Sequence, residues 1–328
     1  MQTRTLGDGL IVSAIGLGAM GLTHAYGPAM EDREAVRVLE QSLADGYTFF
    51  DTAECYLGTH TDGSEAVNEI VVGQALRAHR QDVQIASKFG VKHEGRMLSM
   101  DSRPETIRRS VEGSLRRLQT DYLDLYYQHR IDPNVPAEEV AGVMADLIRE
   151  GKILHWGISE TNEDYLRKAH AVCRVTCIQN RYSMMARWHE NLFPVLEELG
   201  VGYVAFSPLA NGLLSDAFQK GEQFAQGDYR AAMPQYTAEA YEANRELMDL
   251  VRRTAAEKNA TPAQISLAWM LCKKPYIVPI PGSRKPERLH ENAHSADILL
   301  TAQEIRAMDS ALDAMKMSEV FGGSPVKK

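Results

Sequence analysis

Cysteine is scarce in this chain: four stand among 328 residues, Cys55, Cys173, Cys177 and Cys272. They form no zinc-type pair of half-sites, and they read as packing thiols in a reducing compartment. Positive charge is not in excess either. Thirty-six Lys and Arg stand against 44 Asp and Glu, a net charge of −8, which argues against a nucleic-acid partner while allowing a local basic pocket for one phosphate. Long apolar runs are missing: nothing approaches a membrane span, and the opening MQTRTLGDG holds no apolar core of signal-peptide length. The expectation is a cytoplasmic protein with no membrane partner. Low-complexity segments, linkers and short-period repeats are absent as well.

What is present is an ordinary core, 44% hydrophobic and 24% charged, cut into alternating strand-like and helix-like stretches. TRTLG–DG–LIVSAI reads as a hairpin turning at Asp8-Gly9. AIGLGAM precedes an amphipathic stretch over 31–45. YTFFD is followed by a helix over 68–80, and VQIASKF by a helix opened by Ser102-Arg103-Pro104-Glu105. YLDLYYQH leads to a helix over 137–150. ILHWGIS, TCIQNRY and GYVAFSP come next, with helices over 163–170 and 191–199 between them. Helical pattern over 238–259 and 262–272 precedes the last strand, YIVPIPG. The strands are continuous apolar runs, which predicts burial on both faces.

Such alternation fits an open doubly wound sheet or a closed barrel. The open sheet would favour G-x-G-x-x-G entering a helix. Gly16, Gly18 and Gly21 have that spacing, but LTHAYGPAM follows instead of helical pattern. The prediction is therefore an α/β protein, a (β/α)8 TIM barrel with an N-terminal β-hairpin, forming one domain over 1–328. A long loop at about 211–237 is expected as a flap over the pocket, and a partly ordered tail at about 315–328.

In such a barrel the polar residues at strand C-terminal ends belong to the active site. Asp51 ends FFD, Lys88 ends IASK, His129 follows YYQ, and Tyr56 lies in the loop above the second strand. Singly, each has a plain reading: a capping Asp, a packed Tyr, a solvated Lys, a structural His. Together on one rim they make a proton-handling site. Lys88 would lower the Tyr56 pKa and ease proton transfer, Asp51 would hold the ammonium, and His129 would orient a carbonyl where oxyanion charge develops. Metal ligands are not expected. Hydride would have to come from a cofactor. Lys88 as the Schiff-base lysine of an aldolase is a rival reading, which pairing with Asp51 opposes.

A second candidate site follows the last strand. Gly282 and Ser283 lead into a helix N-terminus suited to phosphate, and Arg284 and Arg288 add guanidinium forks. The plain alternative is a Ser-capped basic helix.

Over nearly its whole length the chain resembles the aldo-keto reductases. The stretches that carry the likeness are GLGAMG, FFDTAECY, IASKFG, DYLDLYYQHRIDP, EGKILHWGIS, IQNRYS, FSPLANGLL and IPGSRKPERLHEN. The resemblance implies a barrel that uses NADPH without a Rossmann domain and a catalytic tetrad at Asp51, Tyr56, Lys88 and His129. It implies reduction of an aldehyde or ketone, with Tyr56 as general acid. Ser159, Glu160 and Gln179 match the positions that meet the nicotinamide carboxamide, although many relatives carry Asn at 160. Phe206 stands where relatives stack an aromatic ring on nicotinamide, and Ser207, Pro208 and Leu209 lead toward the pyrophosphate. Arg284 and Arg288 match the 2′-phosphate site, and Glu291 and Asn292 the adenine site. Met20, Gly21 and Gly212 complete the implied cofactor set. Tyr26, Leu57, Phe89, Arg130 and Trp188 are expected at the substrate mouth, with Arg130 read first as structural. LGTHTDGSEAVNE is longer than the family's usual Gly-rich segment, and this insertion over 57–67 is expected to border the pocket. The family also suggests a redox-sensing regulatory subunit as an alternative. Monomer and homo-oligomer both remain open.

Overall fold

The computed structural model describes residues 1–94, 97–218 and 220–323. Eight strands form one parallel sheet whose order follows the chain: Leu17–Gly18 (β1), Phe49–Asp51 (β2), Gln84–Phe89 (β3), Leu123–Gln128 (β4), Ile153–Ser159 (β5), Cys177–Arg181 (β6), Gly202–Phe206 (β7) and Ile277–Pro279 (β8). The two edges meet. The Gly16 N–H donates to the Pro279 carbonyl at 3.0 Å and the Gly18 N–H to the Pro281 carbonyl at 3.3 Å, so the sheet closes into a (β/α)8 barrel. The seam demands small residues. A Cβ at Gly18 would approach the Ile280 carbonyl oxygen to 2.8 Å, and one at Gly282 would collide with the Gly18 carbonyl.

Six of the eight strands feed two cores, which is why their sequences are apolar without alternation. On β4, Leu125 and Tyr127 point into the barrel with Phe49, Ala86 and Val204. Tyr126, between them in the strand, points outward into the layer shared with the helices. The N-terminal hairpin, Thr3–Leu6 against Leu10–Ser13, adds Leu6, Leu10 and Val12 to the inner cluster. It plugs the N-terminal end of the barrel and leaves the other end open.

The helices fall where the pattern placed them, with ends shifted by a few residues. They include Asp32–Ala44, Pro104–Leu118, Ala137–Arg149 and Glu163–Val172. The stretch expected as one helix over 68–80 is α-helical over Asn68–Leu76 and tightens to a 3-10 turn over Arg77–His79. The region over 238–259 breaks into Ala238–Ala243 and Arg245–Lys258. Its break falls at Asn244, whose Nδ2 donates to Ser318 Oγ at 2.8 Å and whose Oδ1 accepts the Ser318 N–H at 3.0 Å. A buried amide committed to the tail is no longer a helix-interior residue.

That contact, with the Phe321 N–H bonded to Gln235 Oε1 at 2.9 Å, ties down the part of the expected tail that is described. Residues 324–328 lie outside the described residues, as does 219 in the expected flap. The flap region is itself structured. It turns through Ala210–Ser215, Tyr229–Ala232 and Pro234–Tyr236, and the Arg230 guanidinium lies about 5 Å from the rings of Tyr26, Phe218 and Phe224.

Two hairpins flank the barrel mouth. The insertion over 57–67 forms one, Leu57–Thr59 against Glu65–Val67. Val91–Glu94 against Met97–Met100 forms the other, which the sequence reading had left unassigned. No helix among the described residues is long and apolar enough to cross a membrane.

Candidate active site

The C-terminal ends of the strands open into a cleft of about 600 Å³, where barrel loops converge. At its floor Lys88 is fully buried. Its Nζ donates to Asp51 Oδ1 at 2.5 Å, to the Thr52 carbonyl at 2.8 Å and to Tyr56 Oη at 3.1 Å. Gln179 Nε2 reaches across the barrel to Asp51 Oδ2 at 2.8 Å. The Tyr56 and His129 rings meet edge to face at 5.8 Å. Strand ends on β2 and β3, and the loops after β2 and β4, thus bring the four residues together.

The electrostatics correct one expectation. Burial is the largest influence on Tyr56 and pushes its pKa up to about 12, outweighing the opposing pull of Lys88. The phenol stays protonated. Because the Lys88 ammonium donates to the phenol oxygen, the hydroxyl hydrogen is left to point elsewhere, toward the cleft that Tyr56 lines. Burial pulls on Lys88 itself as well, but the Asp51 carboxylate and Tyr56 offset it, and its pKa ends above the ordinary value. An ammonium held by three acceptors is no Schiff-base nucleophile, which counts against an aldolase.

His129 is driven well below its ordinary pKa, first by burial and then by Arg130 and Lys88, so it is a neutral imidazole. Its Nδ1 lies 3.5 Å from Cys55 Sγ, and burial lifts that thiol to about 12. In the tautomer that carries its hydrogen on Nε2, Nδ1 accepts from this thiol. Sequence reasoning had made Cys55 a packing group only.

The cleft is lined by most of the residues expected on the cofactor side: Met20, Gly21, Asp51, Ser159, Gln179, Phe206, Ser207, Pro208, Leu209, Gly212, Gly282, Ser283, Arg284, Arg288 and Asn292. Glu160 and Glu291 do not line it. Glu160 adopts φ 53° and turns its carboxylate back to the Arg181 N–H at 2.9 Å. Glu291 accepts from Thr261 Oγ1 at 2.5 Å and from Arg288 Nη1 at 2.6 Å.

On the substrate side, Tyr26 and Arg130 line the cleft, whereas Leu57, Phe89 and Trp188 do not. Side chains alternate along a strand. With Lys88 directed to the site, Phe89 must face the helices, where its ring lies 5.2 Å from that of Tyr126. Trp188 is exposed beside His189. Leu57 is exposed on the inserted hairpin, which reaches the site only indirectly, through the Leu57 carbonyl bonded to His24 Nδ1 at 2.6 Å.

Residues not anticipated make up the rest of the wall. His24 stacks with Tyr56, with ring centres 6.1 Å apart, and contacts His93 and Tyr229 at 4.8 and 5.7 Å. Val91 and Leu98 come from the unassigned hairpin, while Arg181 and Phe321 come from β6 and the tail. The alternation of Val91 with His93 and of Leu98 with Met100 was the available signal for that hairpin. Phe321 had none, because its place depends on the tail's tether.

A closed barrel with a buried Lys–Asp–Tyr network under a histidine, opening on a cleft beside a basic loop, defines a class of carbonyl-directed oxidoreductases. The Aldo/keto reductase family model matches residues 14–313, and the chain belongs to that family. It is 36% identical over 321 residues to the "Probable aldo-keto reductase 1" of Glycine max, covering 96% of this chain and 89% of that protein. A thermostable aldo-keto reductase solved with the inhibitor epalrestat has a TM-score of 0.73 at 30% identity, over 95% of this chain and all of the other. The glycerol dehydrogenase of Gluconobacter oxydans has a TM-score of 0.84 at 26% identity, over 95% of each chain. Membership makes the protein an oxidoreductase of carbonyl groups that works with a nicotinamide cofactor.

Proposed function

We propose that the protein reduces an aldehyde or ketone to the alcohol with NADPH, Tyr56 acting as general acid. The observation that carries this reading is the 3.1 Å hydrogen bond from Lys88 Nζ to Tyr56 Oη, which leaves the phenolic hydrogen free for a substrate oxygen. Neutral His129 would donate to the same oxygen and set the carbonyl's orientation. Asp51 keeps the ammonium in place, and Gln179 braces Asp51.

The chain's residues fit the cofactor. Arg284 Nε and Nη1 donate to the Gly21 and Pro28 carbonyls at 2.6 and 2.9 Å, but its buried Nη2 has no partner. That orphan N–H, with Arg288 and the helix N-terminus at Pro286, suits a 2′-phosphate. Ser159 and Gln179 would hold the nicotinamide end, Phe206 would pack on it, and the turn from Ser207 to Gly212 would take the pyrophosphate. When bound, NADPH supplies the hydride that no side chain can. A cytoplasmic, one-domain enzyme, either monomeric or homo-oligomeric, is consistent with this reading.

Loss of NADPH absorbance with a panel of simple aldehydes tests the activity. Tight NADPH binding without turnover across that panel would instead leave a cofactor-binding regulatory protein. Arg288→Ala should weaken NADPH about tenfold more than NADH, the scale of a charge-assisted phosphate contact. Equal losses for the two cofactors, measured by titration, would remove the 2′-phosphate assignment. The pH profile is a further check. Tyr56 lies near 12 and His129 well below its ordinary value, so neither titrates near neutrality. The kcat/KM for reduction should therefore be level from roughly pH 6 to 9, and an inflection near 7 would contradict the assigned protonation states.

A further inference from the structure

Arg181 is a buried charge in the cleft wall with no ion-pair partner among the described residues. It ends β6 two residues beyond Gln179, so both side chains rise from one face of the strand. Gln179 goes to Asp51, and Arg181 to the cleft wall. The residue is 4% exposed, yet its Nε has no hydrogen-bond partner, and Nη1 reaches only Asn211 Oδ1 at 3.5 Å. Arg80, Arg187 and Arg230 all face carboxylates, but Arg181 forms no ion pair among the described residues. The nearby Glu160 carboxylate is occupied by Arg181's own backbone N–H.

Its guanidinium lies between two rings, 4.9 Å from Phe206 and 5.6 Å from Phe321, which offsets part of the desolvation. Arg130 approaches the same Phe206 ring at 5.9 Å. Arg130 is held beside the catalytic floor, its Nη1 donating to the His129 carbonyl at 2.6 Å and to Ser159 Oγ at 3.1 Å. Among the described residues it too forms no ion pair. Two guanidinium groups thus share one wall of the cleft without a carboxylate between them. An arginine does not shed its proton to escape burial, so an unpaired one awaits an anion.

We propose that Arg181, with Arg130 beside it, is a specificity-determining anion subsite that selects carbonyl substrates bearing a carboxylate or phosphate. The proposal rests on the reductase reading above. Arg181 follows Gln179, whose amide meets Asp51 at the floor, by two strand residues, so an anion held there would lie on the cleft wall above the reacting carbonyl. The cofactor's pyrophosphate could offer the same chemistry, and the test must separate the two sources.

Steady-state reduction of 4-carboxybenzaldehyde should be compared with that of its methyl ester, and succinic semialdehyde with butanal. The wild-type enzyme should favour the charged member of each pair by at least about tenfold in kcat/KM, the scale of a hydrogen bond to a charged group. Arg181→Gln should bring that ratio close to one, chiefly through KM, and Arg181→Lys should restore part of it. A wild-type preference for the neutral partners, or a charged preference that survives Arg181→Gln, overturns the proposal. So does a rise in the NADPH Kd as large as the rise in KM for the charged aldehyde, which would assign Arg181 to the pyrophosphate.

If no aldehyde is turned over, the reductase reading fails by itself. The subsite is then tested by calorimetry on the NADP⁺-loaded protein, comparing 4-hydroxymethylbenzoate with 4-methylbenzyl alcohol. About tenfold tighter binding of the acid, lost in Arg181→Gln, supports the subsite, and equal binding overturns it.

Discussion

Tyr56→Phe is expected to lower kcat for aldehyde reduction by roughly three orders of magnitude while the Kd for NADPH stays close to its wild-type value. The substitution removes one hydroxyl from a ring that is already buried, so the barrel floor keeps its shape. What disappears is the phenolic proton that Lys88 leaves available: the ammonium donates to the phenol oxygen at 3.1 Å and does not accept from it. His129, neutral and edge-on to the same ring, still polarises the carbonyl, which is why residual turnover is expected. Fluorescence titration with NADPH and absorbance kinetics on the same preparation separate binding from chemistry. A variant that kept wild-type turnover would remove Tyr56 as the acid.

Lys88→Met should cost both stability and activity. Lys88 is fully buried against Asp51, itself 2% exposed. Without the ammonium, the Asp51 carboxylate keeps only Gln179 as a side-chain donor, at 2.8 Å. Leaving one half of a buried ion pair unpaired costs about 3–5 kcal/mol, and chemical denaturation should read a loss of that size. The double variant Asp51→Leu with Lys88→Met replaces both charges by apolar groups of similar bulk. It should recover most of the stability and none of the activity. That split distinguishes a pair kept for chemistry from one kept for folding. If the single variant denatured like the wild type, the pair would not be the coupled, buried unit described here.

The barrel was legible because its signal is local and repeated. Apolar runs such as LDLYYQ reflect strands buried on two faces, and glycine and proline punctuation marks where each helix starts and stops. The strand-end positions of Asp51 and Lys88 follow from the same pattern, as does their convergence once the sheet closes. Where the reading went astray, the cause was an interaction between distant segments. Phe89 is the exception, a local misreading, because alternation along the strand turns it away from the mouth once its neighbour Lys88 faces the site. The helix expected over 238–259 broke because Asn244 is committed to Ser318, 74 residues away. The lowered Tyr56 pKa expected from Lys88 was reversed by the depth of burial, which no one-dimensional pattern reports.

By itself the sequence determined the alternation of strands and helices, the positions of the polar residues at strand ends, and the basic loop before the last barrel helix, because each depends on neighbours within a few residues. Only the tertiary structure decided the protonation states at the floor, the pairing of Val91–Glu94 with Met97–Met100 that walls the cleft, and the burial of Arg181 without an ion-pair partner among the described residues. Those properties are sums over groups that the chain brings together from far apart, and solvent exclusion sets them more than residue identity does.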